Sequence, residues 1–463
     1  MKLWNRVRFW GAFLGGKLFL ASYRRQGRLR NDRPGMVSMR LCGDFLKYIA
    51  KPKLLIVVTG TNGKTSIASM AAQILQSRGL TVSYNDWGAN HHAGVARCLL
   101  DAVSWRNRPV KDAAVIEMDE LISPLDVPDL KPQYIIVSNL FRDSMLRNGY
   151  PEFIRQRLQT AIDRTPNATV ILNGDDPLSC FLGEYNRRFT FGIAPSSDPY
   201  HRPLADDFPV CPRCGEQPEY SYRTYRHLGQ FRCPRCGLES PARDYFVEKM
   251  DLDAKTIQVR HGQSTSSYPI PSHSPYTASN AAALIPMFLD MGMTREELAS
   301  SLSGVHMPPS RESVDSAKGI ALITLVAKGQ NAPAVSTALR AVRQDPAPKE
   351  VVLLLDEVYH EPGKMETAAW LYDTDFELLN HPSVHRIILG GARYLDHRVR
   401  LLLAGIPPEK LVCVRQELDT PQYVSTQGVE RIYILHDVNA ITRGRQVRDQ
   451  IKANILSGEA VNP

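Results

Sequence analysis

Two groups of side chains in the 463-residue sequence have the types and spacing to do chemistry. One is Gly60-Thr61-Asn62-Gly63-Lys64-Thr65-Ser66, set between an apolar run at Lys53–Val58 and a helical pattern that continues through Leu75. A strand that ends in such a turn and enters a helix N-terminus points backbone N–H groups at phosphate. Gly60 and Gly63 allow the tight path, Lys64 reaches the β and γ phosphates of a nucleotide, and the Thr65 hydroxyl offers magnesium a ligand. Val58 stands where a generic phosphate loop has glycine, so the reading rests on the strand–turn–helix setting. Glu117, at a strand end, is a candidate magnesium ligand, whereas Asp143 is divided between that chemistry and a helix N-cap. Arg311, just after Pro308-Pro309, can clamp phosphate or form a surface salt bridge.

The other group is Cys211-Pro-Arg-Cys214-Gly and Cys233-Pro-Arg-Cys236-Gly, with 18 residues between the pairs. Two tight turns at this spacing present four thiolates to one tetrahedral zinc ion, a closed and therefore structural site. An insert of this kind reads as a self-contained module whose loss would leave nucleotide binding mostly intact. Cys42, Cys98, Cys180 and Cys413 are scattered in apolar contexts and read as buried small hydrophobes. None sits in a nucleophile-like turn, so the chain does not read as a glutaminase. His91-His92 reads as a polar helix start rather than a metal site, because adjacent side chains diverge on a helix.

These groups need a scaffold. Apolar runs at Ala113–Ile116, Tyr134–Val137 and Thr169–Leu172 alternate with helical patterns near 91–103 and 151–163, which predicts a parallel sheet covered on both faces. A second alternation follows residue 309, with strands at Ile320–Val326, Val351–Leu355, Arg386–Leu389, Leu411–Val414 and Ile432–Leu435. The expected class is α/β. A phosphate-loop central domain spans 51–308, with a zinc ribbon inserted at about 205–242, and a Rossmann-like domain spans 309–463.

Apolar residues make up 43% of the chain, enough for packed cores, and no stretch nears the ~18 apolar residues of a membrane span. The net charge is +8, yet residues 1–40 alone carry ten basic side chains and one acid, leaving the remainder slightly negative. Trp4, Phe9, Trp10, Phe13, Leu14, Leu18, Phe19 and Leu20 fall mostly on one side of a helix in this basic segment, taken as residues 1–50. Two readings stand: a helix in a membrane interface, or a terminal helix packed on its own domain. Lys17 interrupts any signal-peptide core, so a reducing, cytoplasmic setting is expected, with peripheral contact at the inner membrane face.

The order of Gly60–Thr65, Glu117, Asn139 with Asp143, Asn173-Gly174-Asp175-Asp176-Pro177, Asn280 and Arg311-Glu312 resembles that of the Mur ligase family over nearly the whole chain. The resemblance implies an ATP-dependent carbon–nitrogen ligase that works through an acyl phosphate. Asn173, Asn280 and Arg311 would line its ATP and magnesium cleft. The inserted cysteines, Asn85 with Gly88-Ala89-Asn90, Trp370–Glu377 and Gly391-Ala392-Arg393-Tyr394 resemble the branch that amidates the D-glutamate of lipid II in peptidoglycan synthesis. That branch implies a lipid II-like substrate and ammonia from a separate GatD-type glutaminase, with Asp373 at the interface orienting a catalytic histidine of that subunit. The sequence departs from the family at Ser66, Leu146, Ser310, Lys328-Gly329-Gln330 and His436-Asp437-Val438-Asn439, which bears on the acceptor. A nucleic-acid-binding ATPase, with Tyr220, Tyr222, Arg223, Tyr225 and Arg226 contacting bases and phosphates, and a non-catalytic nucleotide-binding subunit are the alternatives.

Overall fold

The computed structural model describes residues 3–27, 31–85, 89–142, 150–195, 205–307, 312–327, 331–355, 368–437 and 440–458. The chain forms two compact units, the first comprising Met1–Phe141, Pro151–His201 and Asp206–Met307 and the second Arg142–Tyr150, Arg202–Ala205 and Pro308–Pro463.

In the first unit, α1 (Leu3–Arg25), α2 (Arg33–Leu41) and α3 (Phe45–Tyr48) precede β1 (Leu54–Thr59), α4 (Lys64–Ser77), β2 (Val82–Tyr84), α5 (His92–Ala102) and β3 (Ala113–Glu117). There follow α6 (Ser123–Leu130), β4 (Tyr134–Val137), α7 (Pro151–Asp163), β5 (Thr169–Asn173) and β6 (Arg188–Ile193). The hairpin β7 (Glu219–Tyr225) and β8 (Leu228–Arg232) stands apart from the meander β9 (Tyr245–Asp251), β10 (Thr256–His261) and β11 (Ser264–Pro269). Helices α8 (Pro275–Asp290) and α9 (Arg295–Ser303) close the unit.

Among the described residues the main sheet has nine strands in the order β11-β10-β9-β6-β5-β4-β1-β3-β2. Strands β2 to β6 and β9 run parallel with β1; the buried apolar runs predict β1, β3, β4 and β5, whereas β2, β6, β9 and the antiparallel edge formed by β10 and β11 are strands for which the sequence reading names no run. Successive residues of β1 serve opposite faces. Leu55 and Val57 join a core with α1, α5 and α7, and Ile56 and Val58 join another with α4, α8 and α9.

Helix α1 settles one expectation. Its apolar residues do not share a side: Phe9, Phe13 and Leu20 are buried, whereas Trp4, Leu14, Leu18 and Phe19 are exposed. Gly16 lets the crossing close up, since a Cβ there would collide with Ser38 and Leu100.

The second unit contains β12 (Glu312–Ala317), β13 (Ile320–Val326), α10 (Ala332–Gln344), β14 (Lys349–Leu354), β15 (Val384–Gly390), α11 (Tyr394–Leu403), β16 (Leu411–Val414), β17 (Arg431–His436) and α12 (Ile441–Ser457). Its described sheet runs β12-β13-β17-β14-β15-β16, parallel except for the β12–β13 pair.

Candidate nucleotide site and the four-cysteine cluster

The turn from β1 into α4 is built as a cradle. Gly60 and Gly63 have φ of +116° and +89°, where an L side chain is strained. A Cβ on Gly60 would strike Ser138, and one on Gly63 would strike Asn280 Oδ1. Asn280, on α8, therefore lies against the loop. Asn139 pins the loop from the end of β4. Its carbonyl accepts from Thr61 N at 2.7 Å, and its Oδ1 accepts from Asn62 N at 3.0 Å. Lys64, Thr65 and Ser66 open α4, so the helix N-terminus faces the position a phosphate would take.

Glu117 ends β3 beside Val58, and Asn85 fixes its backbone through bonds of 2.8 Å to both its N–H and its carbonyl. The acid that meets Lys64 is Glu120, three residues further on. Lys64 Nζ donates to Glu120 Oε1 at 2.8 Å, and also to the Gly60 and Thr61 carbonyls. Burial pulls the ammonium down, but Glu120, then Glu117 and Asp119, raise it above its ordinary value. Burial pushes the Glu120 carboxyl up despite Lys64. Glu120 and Asp119 were not picked out from the sequence, although the run Glu117-Met118-Asp119-Glu120 after a buried strand signals an acidic strand end. A hydroxyl and clustered carboxylates form an oxygen donor set that suits a hard cation, so Thr65 and Glu117 could hold magnesium.

Asn173, at the end of β5, accepts through its Oδ1 from Asp175 N and shapes its own turn. The next residues organise the wall behind the loop. Asp176 Oδ2 accepts from Leu140 N at 2.8 Å, and Phe141 N donates to Thr61 Oγ1 at 2.9 Å. Asp175 accepts two bonds from Arg243, at 3.0 and 2.7 Å, and one from Tyr222.

These contacts correct the expectation that the cysteine insert is self-contained. The β7–β8 tip is buried in the unit: Gly229 N donates to the Asp175 carbonyl at 2.7 Å, and the His227 ring lies 4.7 Å from that of Phe141. The wholly buried His227 Nε2 is 3.3 Å from Asp176 Oδ1. At the open end of the hairpin, the ligand atoms of Cys211, Cys214, Cys233 and Cys236 lie within 4.8 Å of one another. Sulfur separations of 3.6 Å for Cys211–Cys236 and 3.4 Å for Cys214–Cys233 suit a tetrahedral zinc thiolate site, whose edge is about 3.8 Å. Gly215 and Gly237, with φ of +75° and +71°, turn their N–H groups back to the Cys211 and Cys233 carbonyls. Among the described residues this is the one cluster of three or more His, Cys, Asp or Glu side chains whose ligand atoms lie close enough to hold a metal ion. His91 and His92 instead meet Asp32 and Asp126, at 3.1 and 2.7 Å.

In the second unit Asp373 is partly exposed and accepts from Arg142 Nη1 at 3.2 Å. Asp143, Leu146, Arg311, Gly88, Ser310 and 328–330 lie outside the described residues.

Residues 58–202 match the Mur ligase middle domain, and residues 329–441 match the MurT ligase C-terminal domain. Subunit MurT of the glutamine-hydrolysing lipid II isoglutaminyl synthase of Streptococcus pneumoniae is 28% identical over 419 residues, covering 89% of this chain and 91% of that one. The chain belongs to the Mur ligase family. As a Mur ligase it is an ATP-dependent ligase. The Staphylococcus aureus MurT subunit (strain COL) is 24% identical over 403 residues, 86% of this chain and 89% of the other. The Mur ligase fold is shared with a pseudomurein peptide ligase type C from Methanothermus fervidus (TM-score 0.66, 17% identity, 89% and 81% of the chains). It is shared too with a MurF ligase from Thermotoga maritima in complex with ADP (0.58, 15%, 91% and 85%).

Proposed function

We propose that this Mur ligase is the synthetase subunit of a lipid II isoglutaminyl synthase. It amidates the D-glutamate α-carboxyl of lipid II to D-isoglutamine, using ATP and ammonia from a GatD-type glutaminase partner. The observation that carries the reading is Lys64, held by a buried acid in a cradle that excludes side chains at Gly60 and Gly63, in a chain whose relatives are named as subunits of that enzyme.

ATP entry moves Lys64 from Glu120 to the β and γ phosphates. The acceptor carboxylate then attacks the γ phosphorus, the bond from that phosphorus to the bridging oxygen breaks and ADP leaves, while Lys64 neutralises charge spreading over the transferred group. Magnesium, when bound by Thr65 and Glu117, supplies further neutralisation of that charge. Ammonia displaces phosphate from the acyl phosphate, leaving the amide. Asn280 and Asn62 position the nucleotide, and Arg311 clamps phosphate. Asp373 serves the partner's histidine across the subunit interface. Zinc held by the four cysteines stiffens the hairpin, and the chain works at the cytoplasmic face of the membrane.

The nucleic-acid reading has less support. Tyr225 and Arg226 are buried, Arg223 stacks on Tyr220 with 3.7 Å to the ring centroid, and Tyr222 bonds Asp175. The test is to incubate the purified chain with lipid II, ATP, magnesium and ammonium. Exchange of one carboxyl for a carboxamide by mass is expected, and ATP turnover that does not depend on lipid II would refute the proposal.

A further inference from the structure

Helix α1 has two apolar faces, and only one is used by the fold. Phe9, Ala12, Phe13 and Leu20 are buried in the unit's core. On the opposite side Leu3, Trp4, Val7, Leu14 and Leu18 are 79, 70, 61, 45 and 62% exposed. At about 100° per residue these five fall within a stripe about 100° wide that runs along most of a 23-residue helix. A large contiguous apolar face left in water marks an interaction surface.

The charges beside the stripe select its partner. Nothing from Leu3 to Arg25 is acidic, and Arg6, Arg8 and Arg25 are exposed on the same helix, with Arg40 exposed on α2. A second copy docking here would bring two arginine-flanked, carboxylate-free helices together, so charge opposes it. An anionic bilayer surface is complementary to both features: the stripe enters the acyl boundary while the arginines meet headgroups. Trp4, near one end, suits the water–lipid boundary.

We infer that the outward face of α1 docks on an anionic lipid surface, while its inward face anchors the helix to the nucleotide-binding unit. No described helix is long and apolar enough to cross a membrane, so the contact lies in the plane of the interface. The inference extends the proposed function by naming the surface at which a lipid-linked acceptor is met, and rests on it for that purpose alone.

The test uses the full chain and vesicles that carry no substrate. Co-sedimentation is measured with phosphatidylcholine vesicles, with and without phosphatidylglycerol, at low and high salt. Parallel measurements use Val7→Glu/Leu18→Glu, whose substitutions lie on the exposed face. Binding to the anionic vesicles is expected, weakened by salt and reduced at least about tenfold in the variant. Nucleotide binding by the variant should match that of the parent; loss of nucleotide binding in the parent would instead strike the ligase reading. Failure to sediment with anionic vesicles, equal binding by the variant, or a solution dimer that the variant dissolves would each overturn the inference.

Discussion

Replacing Lys64 by alanine strands Glu120, and the structure sets the size of the effect. Their side chains are 11 and 2% exposed and 2.8 Å apart, so the pair is buried rather than superficial. Breaking a buried pair typically costs about 3–5 kcal/mol, because the remaining charge has lost its partner. Burial already pushes the Glu120 carboxyl up, so protonation limits the cost, and a loss near the lower end, about 3 kcal/mol, is expected for Lys64→Ala. Glu120→Gln alone should cost less, since Lys64 keeps the Gly60 and Thr61 carbonyls. The double variant Lys64→Ala/Glu120→Gln should regain about 2 kcal/mol over Lys64→Ala while remaining inactive, because the phosphate-contacting charge is still missing. Urea unfolding of all four proteins, followed by far-UV circular dichroism, gives the coupling energy; amidation rates give the catalytic loss. Additivity within about 0.5 kcal/mol would refute the buried pair, and recovery of activity in the double variant would refute the role of Lys64.

Three further outcomes follow from other parts of the molecule. Cys214→Ser should lose metal by elemental analysis and, because the hairpin tip abuts Asp176 behind the loop, weaken ATP binding about tenfold; unchanged affinity with the metal gone would return the insert to a self-contained module. Asp373→Asn should abolish glutamine-driven amidation yet spare the ammonia-driven reaction, whereas equal loss with both nitrogen sources would assign Asp373 to the synthetase or the fold. Burial, then Arg393, holds His397 down to about 4, so between that pH and about 6.5 only the unfolded chain binds the proton and stability falls with pH by up to about 3 kcal/mol. His397→Phe should flatten that slope in unfolding measured at pH 5 and 7, and an unchanged slope would contradict the assignment.

The centre of the fold was legible because buried parallel strands are continuous apolar runs. Ala113–Glu117, Tyr134–Val137 and Thr169–Asn173 are wholly buried, and no polar alternation obscures them. Strands β9 to β11 were not, since residues such as Glu248, Lys249, Ser264 and Thr265 face water and mask the pattern. The glycine turn and the cysteine pairs declare themselves through local spacing. Contacts between distant residues leave no such trace. Arg243 is 68 residues from Asp175, and Glu120 is 56 from Lys64, so the sequence names the groups without pairing them. Helix α1 shows a further limit: periodicity marks apolar positions but cannot say that half of them already have a partner.

The central claim, phosphorylation of the acceptor carboxyl before amide formation, is tested most directly by isotope transfer. Lipid II with ¹⁸O in the D-glutamate α-carboxyl is turned over with ATP, magnesium and ammonium, and the released phosphate is analysed by mass. Each phosphate released with an amide should carry one ¹⁸O from the substrate; amide formed with phosphate free of ¹⁸O would contradict the account.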